Sequence, residues 1–193
     1  MPRTKQFDEK EVLNKAMELF WEKGFHATSI QDLVSHIGIN RASIYDTYGD
    51  KTALFDKAFE QYRNNSLESL RNILHSEPDV KKGFQNLFQL VIDDVKTGRC
   101  TKGCFVVNTI TELVPGDAAL QNKLVQNSAI TEALFAEYIR NGITSGNLTT
   151  SKNPEAMAFT LFTLFSGLRV MAKIEQNPSK LSDTIAIGLT ILD

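Results

Sequence analysis

Apolar residues recur at three- and four-residue intervals along almost the whole chain, and no stretch sustains two-residue alternation. That is the period of helices with one buried stripe. Val12, Leu13, Ala16, Leu19 and Phe20 mark a first helix. Asp8 and Glu11 stand at its start as a capping box, Phe7 and Val12 as a hydrophobic staple, and Gly24 ends the run. Thr28 and Gln31 make a second box, opening a helix with Ile30, Leu33, Val34 and Ile37 that stops at Gly38. Asn40 caps a third, short helix to about Thr47, and Asp50 a fourth to about His75.

From Pro78 the helices lengthen. Val80, Phe84, Leu87, Phe88, Val91 and Val95 share one face. "CFVVNTITELV" is a short apolar helix ended by Pro115 and Gly116, and "DAALQNKLVQNSAITEALFAEYIRNG" is long and amphipathic. Asn153-Pro154 opens "PEAMAFTLFTLFSGLRVMAKIEQ", and "PSKLSDTIAIGLTILD" follows, while "NLTTSKN" reads as a loop. The expected fold class is all-α. Residues 1–50 form a three-helix module with a helix-turn-helix, the helix 50–75 connects, and 76–193 form a second helical domain.

A helix-turn-helix lays its second helix in the DNA major groove. Leu33, Ile37, Ile39 and Ile44 hold the two helices together, which leaves Arg41, Ala42, Ser43, Asp46 and Thr47 facing outward. Arginine bonds a guanine edge bidentately, serine and threonine bond several base edges, and the methyls of alanine and threonine meet thymine. Tyr45, Tyr48 and Lys51 suit phosphate oxygens, as does the amide-bearing helix end that Thr28 caps. The two tyrosines equally suit a core, and Lys51 a solvated charge.

The run "GFHATSIQDLVSHIGINRASIYDTYGDKTALF", Gly24 to Phe55, resembles without a gap the N-terminal motif of the TetR (tetracycline-repressor-like) transcriptional regulators. "GCFVVNTITEL" is similar to a stretch found in one branch of that family. Asp46 departs from the His, Asn or Tyr frequent at its position. The resemblance implies a repressor that binds double-stranded operator DNA as a homodimer built on the last two long helices. It also makes residues 76–193 an effector-binding and dimerisation domain with a small-molecule cavity.

The residues themselves bear on both implications. "AMAFTLFTLFSGLRVMA" is apolar almost all round, so Leu161, Phe165, Leu168, Ile185 and Leu189 are expected to bury against a second copy or within one subunit. Seven of the twelve phenylalanines lie beyond Pro78. Phe88, Phe105, Phe135 and Phe162 are candidates for the cavity wall. Asn108 and Glu112 share a helix face and are the candidate polar anchors.

Composition narrows the remaining classes. At 193 residues, 42% hydrophobic and 23% charged, the chain suits a globular protein, and no apolar run approaches the ~18 residues of a membrane helix. With no signal-like start, a cytoplasmic location and no membrane partner are expected. Through Asn65 there are nine Lys or Arg against ten Asp or Glu, so one module alone binds DNA weakly and pairing must compensate. Arg3 and Lys5 offer a further contact in the tail. His26, His36 and His75 show no metal spacing, "GRCTKGC" lacks the Lys-Ser/Thr of a P-loop, and no GxSxG turn occurs. No enzyme activity, metal or cofactor is expected. The alternative to a small-molecule switch is a thiol redox sensor using Cys104 and Cys100, beside Arg99 and Lys102.

Overall fold

The computed structural model describes residues 7–116 and 118–193, which form nine α-helices and no strand. They are α1 (Glu9–Lys23), α2 (Ile30–Ile37), α3 (Arg41–Tyr48), α4 (Lys51–His75), α5 (Val80–Lys96), α6 (Phe105–Leu113), α7 (Ala118–Ser145), α8 (Pro154–Met171) and α9 (Pro178–Gly188). Arg3 and Lys5 lie outside the described residues.

Side-chain oxygens start these helices by taking up amides that have no intrahelical partner. Asp8 accepts from the Lys10 amide, Asn40 from Ser43, Asp50 from Ala53 and Asn153 from Ala156. At α2 the box sits one residue later than the sequence suggested. Ser29 Oγ accepts from the Asp32 amide at 3.0 Å, and Asp32 accepts from the Ser29 amide at 2.9 Å. Thr28 is instead fully buried, its hydroxyl donating to the Gly24 carbonyl at 2.6 Å. The two candidate boxes overlap, and burial of Thr28 selects the second.

Two apolar cores lie along α4. Leu54, Phe55, Ala58, Phe59 and Tyr62 belong to the first, with α1, α2 and α3. Leu70 and Leu74 belong to the second, with α5, α7, α8 and α9. Phe105, Leu120 and Leu124, from α6 and α7, pack into the first core despite their distance along the chain. In the second core α5 and α7 touch closely. A Cβ on Gly83 would meet the Tyr138 hydroxyl at 2.0 Å, so this crossing requires glycine.

The expected dimer residues are consumed by the second core. Leu161, Phe165, Leu168, Ile185 and Leu189 are all buried within the single chain, none above 8% exposure. Periodicity identified the apolar stripe but not its partner, which is α5 and α7 of the same subunit. The exposed apolar residues of this region are others: Ile174 at 77%, Ile187 at 72% and Phe159 at 57%, with Val170 and Met171.

Candidate nucleic-acid interface and cavity

Leu33, Ile37 and Ile44 are buried between α2 and α3, with Ile39 packed beside them. The α2 turn ends on Gly38 at φ 86°, a left-handed conformation that glycine adopts without strain. This fixes the angle of α3. Arg41, Ala42 and Asp46 are left exposed, and Ser43, Tyr45 and Thr47 half-exposed. Arg41 donates to the Tyr45 hydroxyl at 3.2 Å, its guanidinium 5.3 Å from the ring centre. The outward face is therefore an arginine braced on a tyrosine, small residues beside it, and one carboxylate.

Three expected phosphate contacts are placed otherwise. Tyr48 is buried at 5% exposure, and its hydroxyl has no hydrogen-bond partner. Burial, then the charge of Glu9, pushes that hydroxyl up to about 12. Lys51 donates to the carbonyls of Phe25 and Thr28, both at 2.8 Å, with its ammonium 4.2 Å from the Phe25 ring centre. Two of its three donors are taken by the α1–α2 turn. Thr28 is buried, and the amide end of α2 carries its own anion. Hydrogen bonds from Ser29, then Lys23, hold the Asp32 carboxyl well below the usual carboxylate range.

The same α1–α2 turn is gripped from the other half of the molecule. Glu112 of α6 accepts from the amides of Phe25 at 3.0 Å and His26 at 2.7 Å. The Lys102 carbonyl, just before α6, accepts from the Trp21 indole at 3.1 Å and from Asn108 at 2.8 Å. Glu112 thus joins the halves directly, while Asn108 braces the Lys102 carbonyl from within its own half, and neither lines the cavity between α4, α6, α7 and α8. Phe105 also belongs to that joint. Its ring stands edge-on to Phe55, Phe59 and Tyr62 at 5.8, 5.3 and 5.4 Å.

A cavity of about 420 Å³ opens between α4, α6, α7 and α8. That size falls within the ~300–1,000 Å³ of small-molecule sites. Phe162 lines it, with Val107, Ile110 and Phe165, whereas Phe88 and Phe135 are fully buried in the core behind. Cys104 is also in the wall, but Cys100 borders a different, smaller cavity and approaches the Gln176 amide at 3.7 Å.

Residues 12–58 match the sequence model described as "Bacterial regulatory proteins, tetR family", and residues 83–187 match "Tetracyclin repressor-like, C-terminal domain". The chain belongs to the TetR family. The uncharacterized HTH-type transcriptional regulator YezE of Bacillus subtilis is 31% identical over 194 residues, with 100% of both chains covered. The HTH-type transcriptional repressor ComR of Escherichia coli is 25% identical, covering 89% of this chain and 82% of that protein. Among solved structures, a cysteine mutant of the TetR family transcriptional regulator CifR, complexed with 26bp double-strand operator DNA, superposes with a TM-score of 0.83. It is 27% identical, with 99% of this chain and 100% of that chain covered.

A TetR-family regulator of this architecture is a transcription factor, and the family is not one of enzymes. Among the described residues no helix is long and apolar enough to cross a membrane. The inter-half role of Glu112 had no signal in the sequence, because its partners are main-chain amides 86 and 87 positions away. Arg63 and Arg169 in the cavity wall were also missed. An arginine inside an otherwise apolar helix, as Arg169 is in "SGLRVMA", was the available cue.

Proposed function

We propose that this TetR-family protein represses transcription by binding a two-fold symmetric operator as a homodimer, and that a small, largely apolar effector in the 420 Å³ cavity releases it. The observation that carries the reading is the outward face of α3, where Arg41, Ala42, Ser43, Tyr45 and Thr47 remain accessible on a rigidly capped helix. That the CifR structure contains operator DNA, and that ComR is named a repressor, support it. The division of labour follows the two cores, with α1–α3 for DNA and the helices beyond His75 for effector and dimer.

The exposed apolar residues of α8, α9 and the link between them, Val170, Met171, Ile174 and Ile187, suit the second copy, since a solvated surface rarely carries so many large apolar groups. Selection of bound duplexes from a random pool tests the whole reading. Palindromic sites with half-sites about 34–36 Å apart per helical turn are expected, and selected DNA without dyad symmetry would overturn it. Arg41→Ala relaxes preference at one base position, costing about 1–3 kcal/mol there. Ile174→Asp with Ile187→Asp gives a folded monomer in sedimentation and loses operator binding.

A second reading is a thiol sensor. Its specific support is that Cys104 is free and faces the cavity, whereas Cys100 is turned to another. Counting reactive thiols on the native protein before and after peroxide separates the two readings. Release of DNA by peroxide in Cys100→Ser but not in Cys104→Ser would favour the sensor.

A further inference from the structure

The cavity wall contains two guanidinium groups and no acidic side chain. Arg63 comes from α4 and Arg169 from α8, and the remaining lining is apolar or neutral. Arg63 is partly engaged, its Nε donating to Asn127 Oδ1 at 2.7 Å. Arg169 donates from Nη2 to the Tyr62 hydroxyl at 3.1 Å and lies 5.5 Å over the Phe165 ring centre. Among the described residues no carboxylate stands within ion-pair distance of either arginine. A guanidinium has five N–H donors, so most of the Arg169 donors have no acceptor among the described residues.

A charge taken out of water is costly unless a counter-charge and hydrogen bonds accompany it. Arg169 borders three cavities, two of them also lined by Asp94; the 420 Å³ one, which no carboxylate lines, is where that counter-charge would enter. Burial works against the Arg169 charge, but the neighbouring Cys104 and Tyr62 groups, with a smaller part from the more distant Asp94, outweigh it, so the side chain stays a cation. An organic cation in the same cavity would face two like charges with no carboxylate in the wall to offset them. A neutral hydrocarbon would fill the volume but leave the donors of Arg169 unmet.

We infer that the effector is an apolar organic anion, its carboxylate or sulfonate bound by Arg169 and its hydrocarbon part lying against Val107, Ile110 and Phe162. This rests on the reading of the cavity as the effector site. Arg63 contributes further positive charge from α4. The planar fork of Arg169 suits two oxygens of one anionic group, which sets the orientation of the ligand.

The test uses two fluorescent probes with one skeleton. 8-Anilino-1-naphthalenesulfonate carries an anionic group, and N-phenyl-1-naphthylamine lacks it. Titrated into the full-length protein, the sulfonate should bind about tenfold more tightly than the neutral amine. Arg169→Met should abolish that preference while leaving the amine's affinity unchanged, and Arg169→Lys should restore part of it. Melting curves confirm that each variant is folded. Equal affinity of the two probes for the wild type would overturn the inference, as would a preference that survives Arg169→Met.

Ser166→Trp, which fills the cavity, distinguishes this failure from failure of the cavity reading. If it excludes both probes, the cavity is a binding site and only the charge preference is in question. Should both probes bind Ser166→Trp as they bind the wild type, or neither bind the wild type, the cavity is not the effector site and the inference falls with it.

Discussion

The core of the effector half draws on no residue before Leu67, whereas the core of the DNA-binding half is completed by Phe105, Leu120 and Leu124, taken from α6 and α7. The dependence runs one way. Helices α2 and α3 are short, with 8 residues each, and with α1 they leave Phe55, Phe59 and Tyr62 to be covered by Phe105 as well. The effector half packs long helices against one another and is closed without them. A small displacement of α6, one wall of the cavity, would therefore be felt directly at the α1–α2 turn. It need not travel along α4.

The largest test of that asymmetry is Phe105→Ala. Removing a ring at 2% exposure should cost about 3–5 kcal/mol. Hydrogen exchange should show α1–α3 amides losing protection while those of α5 and α8 keep theirs. Phe88→Ala, in the other core, should cost a similar amount but loosen both halves. If the two substitutions gave the same exchange pattern, the halves would be equally dependent and the comparison would fail.

Glu112→Gln is expected to act more weakly, by about 1.5–3 kcal/mol, because it replaces a charge-assisted acceptor of two amides by a neutral one. Exchange at Phe25 and His26 should accelerate, and operator affinity should fall without loss of overall fold. Unchanged affinity would mean that α4 alone aligns α3.

Two of the tyrosines with raised hydroxyls, Tyr48 and Tyr138, sharpen the contrast most finely. Tyr48→Phe removes a buried hydroxyl with no partner and should stabilise the protein by about 1 kcal/mol. Tyr138→Phe should destabilise it by a similar amount, since that hydroxyl bonds the carbonyls of Glu77 and Asp79. Burial is the largest cause of each shift, and both hydroxyls are pushed up to about 12. The folded state holds these protons more tightly than the unfolded chain, where tyrosine titrates near ~10. Their contribution is therefore complete below pH ~10 and is lost as pH rises toward 12. Thermal melts across that window should show a smaller alkaline loss in either variant.

What the sequence disclosed follows from the range of each interaction. Caps such as Asp8, Asn40, Asp50 and Asn153 act within three residues of themselves, so their positions could be read off. The module's fold and the outward set of α3 were legible for the same reason. Leu161 and Phe165 were legible as apolar but not as internal, because a stripe does not name what covers it. Lys51 reads as a free cation until its acceptors, 23 and 26 positions away, are seen. Asn108 likewise reads as a cavity anchor until the Lys102 carbonyl claims its amide.

The grip of Glu112 on the main chain has one more consequence. Amides are present in every residue except proline, so the carboxylate would accept from positions 25 and 26 whatever His26 became. At position 26 the bond depends on the path of the backbone and not on the side chain, proline apart. A regulator built in this way can have that turn rewritten at position 26 without recutting the carboxylate that receives it, whereas Trp21, Phe55, Phe59 and Tyr62 meet the Lys102–Phe105 segment through their side chains.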